Sequence, residues 1–168
     1  MFKTGDTILY SSTGICTITE ICEKDLGGIK KKYYVLKPVS QNNSTVFVPV
    51  DNEKLTSKMR RVLTRDEICK IIRDSAKSPE IWIDDDNERR ETFSSIISSG
   101  DREKLIIMIR SLYKHQQQQL ANGRKFHISD SKIFKEAERL LNDELSWTLG
   151  IEPDEVVPFI EKEIEKTL

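Results

Sequence analysis

The first fifty residues alternate short apolar runs with turn-forming residues, which is the pattern of a small antiparallel sheet. The runs are rich in Ile, Val, Thr and Tyr, which favour strands, and Gly, Asn and Ser residues separate them. Because so short a segment encloses only a thin core, we expect a small antiparallel barrel or curled sheet. The predicted strands cover residues 7–10, 15–23, 32–37 and 45–50.

Beyond residue 60 the apolar residues recur every three or four positions, which indicates helices. Thr64 and Glu67 have the spacing of a capping box at the start of the first helix. The apolar run 105–109 also fits a buried strand, but the charged residues before it and the apolar residues after it favour a helix. The predicted helices cover residues 65–78, 87–99, 102–120, 130–149 and the stretch from 153 onward. The predicted N-caps of the later helices are Asp101 and either Ser129 or Asp130.

The change of pattern predicts an α+β multidomain chain. A β-rich module of residues 1–60 is followed by an all-α helical domain of residues 61–168. A basic stretch near residues 54–63 is the predicted join between them.

Charge and cysteine content narrow the classes of function. The 168 residues carry a formal net charge of -1, so nucleic-acid binding requires a local basic patch. Three cysteines without a C-x-x-C spacing favour reduced core thiols over a disulfide framework or a zinc site. No apolar run is long enough to span a membrane and the first residues lack the apolar core of a signal peptide, which predicts a cytoplasmic protein.

Motifs that carry catalysis or metal binding are missing from the sequence. There is no Gly-rich phosphate loop, no H-E-x-x-H and no G-x-S-x-G. His115 and His127 have no further ligands at metal spacing, and the acidic run 84–86 is best interpreted as a loop that offsets a helix dipole. We therefore predict no enzyme activity, no cofactor, no metal and no small-molecule substrate.

Basic residues concentrate in one part of the helical domain. Residues 101–125 hold six basic side chains against two acidic ones, whereas the tail from residue 152 holds six acidic against two basic. A phosphate-binding face fits this segregation, and a solvated helix surface is the alternative. The candidate DNA-binding residues in this stretch are Arg110, Lys114, Arg124 and Lys125.

Two tryptophans lie in different sequence contexts. Trp82 is in a predicted loop, where it is either a core plug or an exposed wedge that enters the minor groove while Arg89 and Arg90 hold phosphates. Trp147 lies within an apolar helical pattern and is predicted to be in the core.

Short motifs follow one another along the chain in a recognisable order. Residues 2–10, followed by Gly14 and Ile15, are similar to the pattern F-x-x-G-D-x-V-x-Y-P-x-H-G, with Ile8 in place of Val and with Ser11 and Thr13 in place of Pro and His. This opening resembles that of the CarD family of bacterial transcription regulators. The segments similar to the family's later strands and helices are 34–36, 46–49, 99–113 and 136–145.

The resemblance implies a Tudor-like N-terminal barrel that binds the RNA polymerase β subunit, and a helical domain that touches the upstream edge of the promoter bubble. It assigns the polymerase contact to Lys24 and to the strand with Thr45, Val46 and Phe47. Several relatives have Arg at the position of Phe47, so an ionic contact there is lost or replaced by an apolar one. In some relatives a wedge Trp lies just before two Arg, a position that Asn87 occupies here.

Our primary hypothesis is a non-enzymatic regulator that binds polymerase, contacts promoter DNA weakly and with little sequence preference, and stabilises the open complex. The alternative is a polymerase-binding adaptor whose helical domain recruits another protein rather than DNA.

Overall fold

The chain divides into two units, Met1–Val62 and Leu63–Leu168, in a computed structural model that describes residues 1–41 and 43–168 without the side chain of Ser12. Each unit has its own hydrophobic core. This division follows from the change in apolar periodicity, because residues at period two bury one face of a sheet whereas residues at helical spacing bury one stripe of a helix.

The first unit is an antiparallel sheet with the strand order β4-β3-β2-β1-β5. Fully buried Ile18, Leu36 and Val48 lie in its core. A register shift between Ile18 and Glu20 marks a bulge in β2. The strands are Thr7–Tyr10 (β1), Gly14–Asp25 (β2), Lys30–Pro38 (β3), Val46–Pro49 (β4) and Met59–Arg61 (β5), with a short helix Glu53–Thr56 (α1) before β5.

The sheet is open among the described strand pairs. Of the two predicted forms, a small barrel or a curled sheet, closure into a barrel is therefore not observed. The edges of the sheet are β4 and β5, which have four and three residues. Closing a sheet into a barrel requires the edge strands to pair with a consistent stagger, and strands this short offer few backbone groups for it. The sequence did not predict β5, because Met59 is its only apolar residue and pairing with β1 makes it a strand.

The second unit consists of helices whose starts follow from their caps. The capping box of Thr64 and Glu67 is present, and the Asp101 carboxylate accepts a hydrogen bond from the Lys104 amide, so both predictions are confirmed. The helices are Arg65–Lys77 (α2), Asp86–Ser99 (α3), Arg102–Ala121 (α4), Ile128–Leu149 (α5) and Val156–Glu165 (α6), and a 3-10 turn at Pro153–Glu155 precedes α6. In the described residues, no helix is both long and apolar enough to cross a bilayer.

Two predictions for α5 are wrong. Neither Ser129 nor Asp130 is its N-cap, because the helix starts at Ile128 after His127, and Asp130 is buried. Trp147 is 48% exposed rather than in the core. The helical period places Trp147 at the rim of the buried stripe, where one flank of a large ring remains in solvent.

The three cysteines are free thiols. Cys16 lies in the core of the sheet as predicted, and burial raises its pKa to about 11. Cys22 and Cys69 are only half-buried, so the prediction of core residues does not hold for them.

Candidate functional site

The face of the sheet opposite its core carries an aromatic and basic cluster. Because successive side chains of a strand point to opposite faces, burial of Tyr34 and Val48 in the core turns Tyr33 and Phe47 to the other side. The rings of Tyr33 and Phe47 meet edge to face, with centroids 6.4 Å apart. The Lys24 ammonium lies 4.5 Å from the centroid of the Phe47 ring. We call Lys24, Tyr33 and Phe47 the outer-face cluster.

The alternation of side chains along the strands places the residues assigned to the polymerase contact on different faces of the sheet. Lys24 and Phe47 come together, and 37% of Phe47 is exposed. Val46 instead packs half-buried against the core, and Thr45 is exposed just before β4. Tyr33 was not a candidate in the sequence, although the adjacent Tyr33 and Tyr34 had to face opposite sides of a strand.

The edge position of β4 adds a second kind of binding surface. In the described strands β4 pairs only with β3, so one side of its backbone is turned away from the sheet. Backbone N–H and C=O groups along such an edge are available to a strand of another protein. Phe47 of the outer-face cluster and this backbone edge therefore belong to the same strand, β4.

Arg89 is enclosed by hydrogen-bond acceptors in the helical unit. Only 3% of its side chain is exposed, and its Nε and Nη2 donate to the two carboxylate oxygens of Asp130 at 3.0 and 2.9 Å. Its guanidinium also donates to the Ile83 carbonyl and to the Asp86 carboxylate, and the latter hydrogen bond holds the pKa of Asp86 below its usual range. The predicted phosphate contact does not fit this placement, because the guanidinium is already saturated.

Trp82 packs against the helical core. Its ring stacks on His115 with centroids 3.6 Å apart and an interplanar angle of 21°, and meets Phe93 edge to face. The Arg89 guanidinium lies 4.5 Å from the Trp82 centroid. Burial, followed by the charge of Arg89, lowers the pKa of His115, which favours the neutral form of the stacked imidazole. Of the two interpretations of Trp82, this placement favours the core plug.

The candidate basic residues of α4 also have structural partners. Arg110 donates through Nη1 to the Ser75 carbonyl at 2.6 Å and through Nη2 to the Ser78 carbonyl, which satisfies the C-terminal end of α2. Lys114 pairs with Glu80 at 2.7 Å. Arg110 is therefore a helix-capping side chain in this structure, and a role in phosphate binding does not fit its placement.

A cleft between the N-terminal ends of α3 and α5 brings other basic residues together. Its volume is about 700 Å³, and Arg90, His127, Ile128 and Lys132 line it. Ile128 is 75% exposed. Lys125 lines the neighbouring pocket together with His127. We call the surface lined by Arg90, His127, Ile128 and Lys132 the α3–α5 cleft.

Sequence reasoning had identified Arg90, but Lys132 was not a candidate. Lys132 belongs to α5, whose charges are mixed, so only the approach of α5 to α3 shows that it accompanies Arg90. Arg124 and Lys125 are exposed after the end of α4. Among the described residues, no group of three or more His, Cys, Asp or Glu side chains is placed to hold a metal ion.

Comparison with protein families relates the first unit to known domains. Residues 2–63 match the family model described as CarD-like/TRCF RID domain, which spans the whole sheet. Domains of this family interact with the RNA polymerase β subunit and are generally non-enzymatic, which indicates a transcription-related function. Residues 2–63 therefore form a CarD-like/TRCF RID domain by this match, which confirms the resemblance of the opening motif.

Proposed function

We propose that this protein is a cytoplasmic bacterial transcription regulator that binds the polymerase β subunit through its sheet, contacts promoter DNA through its helical unit, and stabilises the open complex. The observation that carries the proposal is the exposed Phe47 ring beneath Lys24, in a domain whose family interacts with polymerase. No covalent step is involved, because differential binding to the open complex is sufficient to shift the promoter equilibrium.

The outer-face cluster is suited to a protein partner. Aromatic side chains supply large apolar area with few rotatable bonds, and such residues at the centre of an interface account for most of its binding energy. Phe47 contributes that area here, while Lys24 keeps a charge at the rim. An apolar anchor thus stands where several relatives have Arg, and the β4 edge beside it can add main-chain hydrogen bonds.

Phe47→Glu is expected to weaken co-purification of polymerase with the tagged full-length protein. Loss of a central aromatic anchor costs about 2 kcal/mol or more, roughly a thirtyfold loss of affinity. The matched control is Val39→Glu, because Val39 follows β3 and is exposed to a similar degree, 39% against 37% for Phe47. If both variants retain polymerase equally and melt like the parent protein, the outer-face cluster is not the polymerase contact.

The α3–α5 cleft is the best candidate for the DNA contact. Arg90 and Lys132 offer two cations, and exposed Ile128 lies in the same cleft. Lys125 lines the neighbouring pocket, and Arg124, the residue before it, is exposed. Proteins that contact the minor groove often combine cations for phosphates with an apolar side chain between base steps. In this proposal Ile128 takes the apolar role for which Trp82 was considered.

The double variant Arg90→Ala/Lys132→Ala is expected to flatten the salt dependence of DNA binding. Each phosphate contact contributes about -0.9 to the slope of log affinity against log salt, so removal of two should change the slope by about 1.8. Fluorescence anisotropy with a promoter duplex at several salt concentrations measures this slope. Lys114→Ala serves as the comparison, because Lys114 pairs with Glu80. A flatter slope for Lys114→Ala alone would place the DNA surface along α4 instead.

A protein-recruiting adaptor is the second candidate, and exposed Trp147 favours it. Tryptophan is enriched in protein interfaces, and nearly half of this side chain is in solvent on the surface of α5. Trp147→Ser should leave polymerase and DNA binding unchanged under either hypothesis. Loss of transcriptional activation in that variant would support recruitment of another protein, whereas unchanged activation would exclude this surface.

A further inference from the structure

An apolar cavity lined by α2, α4, α5 and α6 belongs to neither of the two proposed interfaces. Its volume is about 280 Å³, close to the lower end of the range for small-molecule pockets, about 300–1,000 Å³. Tyr113 and Val157 line it and are 55% and 50% exposed, so the cavity opens to solvent. The apolar wall consists of Ile106, Ile109, Phe134, Leu141, Ile160 and Ile164.

Glu138 presents a carboxylate to this apolar wall. Across the described part of the chain, the Glu138 side chain has no hydrogen bond or ion pair. The buried carboxylates Asp130, Glu144 and Glu163, by contrast, each pair with an arginine. Burial raises the pKa of Glu138 above its usual range. A half-buried carboxylate without a partner gains from an incoming cation, because the cation compensates the loss of hydration.

The other charged residues that line the cavity do not remove its preference for a cationic ligand. Arg110 lines the cavity, but its guanidinium donates to the carbonyls of Ser75 and Ser78. Glu161 is a second carboxylate in the lining. A cationic ligand is therefore favoured over an anionic one.

We propose that this cavity binds a small amphiphilic organic cation, whose apolar part fills the space between the helices and whose ammonium group pairs with Glu138. The ring of Tyr113 offers the cation a further favourable contact. A neutral molecule of the same shape gains the apolar contacts but leaves the Glu138 carboxylate desolvated and unpaired. The residues of this cavity are not part of the proposed polymerase and DNA interfaces. A negative result for ligand binding would therefore leave the proposed function standing, and failure of the proposed function would leave this site standing.

The test compares three probes of one shape, phenylbutylamine, phenylbutanol and phenylbutyrate, with the full-length protein. Isothermal titration measures affinity, and methyl NMR of Ile109 and Ile160 locates the binding. We expect the amine to bind at least about tenfold more tightly than the alcohol, since a charge-assisted hydrogen bond is roughly twice as strong as a neutral one. Phenylbutyrate should bind most weakly. Glu138→Gln should lower the affinity for the amine to that for the alcohol while the alcohol is unaffected.

Glu136→Gln is the matched control on the same helix, because the Glu136 carboxylate pairs with Arg139 at 2.8 Å and does not line the cavity. This variant should keep the preference for the amine. The proposal is overturned if the three probes bind alike, if none binds up to its solubility limit, or if the two variants behave identically. Binding of a basic amphipathic helical peptide, with none of the amine, would equally overturn it and identify a protein-docking groove.

Discussion

Arg89→Met is expected to lower the free energy of unfolding of the helical unit by about 3–5 kcal/mol, because it leaves Asp130 as an unpaired buried charge. Both partners are almost inaccessible to solvent, with 3% and 4% of the side chains exposed. The bidentate geometry joins α3 to α5, which are otherwise held by apolar packing. Denaturant unfolding followed by circular dichroism measures the change.

Arg90→Met is the control for this prediction, since the neighbouring guanidinium is exposed and contacts Asn87. Its effect should stay within about 0.5 kcal/mol, as is usual at the surface. The double variant Arg89→Met/Asp130→Leu should recover part of the loss, because replacing both ions with apolar groups removes the unpaired charge. Equal unfolding midpoints for Arg89→Met and Arg90→Met would show that the pair contributes little to stability.

Trp82→Ala is expected to destabilise the helical unit by about 3 kcal/mol, the lower end of the range for aromatic truncation, because the ring is only partly buried. The loss includes the stack on His115 and the edge contact with Phe93. A change of this size should lower the melting temperature by more than about 10 °C in a unit this small. Trp82→Phe should retain most of the stability.

Open-complex lifetime separates the two interpretations of Trp82. If Trp82→Ala melts like the parent protein while a competitor-challenged open complex decays faster, Trp82 is a DNA wedge and the core-plug interpretation is wrong. Ile128→Ser provides the complementary measurement, because Ile128 is 75% exposed and its truncation should leave the melting temperature nearly unchanged. A faster decay of the open complex in Ile128→Ser would support the α3–α5 cleft as the DNA contact.

Local pattern determined most of the secondary structure and the family assignment. Strands β1 to β4 and the helices of the second unit lie close to their predicted bounds, because alternation, helical spacing and caps act over a few residues. The opening motif was also sufficient to indicate the family that residues 2–63 match. Strand β5 escaped prediction because its strand character depends on β1, some fifty residues earlier.

Tertiary structure alone decided which charged and aromatic residues are available to partners. Arg89 and Asp130 are 41 positions apart, and only the packing of α3 against α5 turns an apparent DNA-binding cation into a buried ion pair. The same packing brings Lys132 beside Arg90, and strand register brings Lys24 over Phe47. Sequence periodicity states which face of an element is apolar, but the partner of a charge depends on the three-dimensional approach of elements distant in the chain.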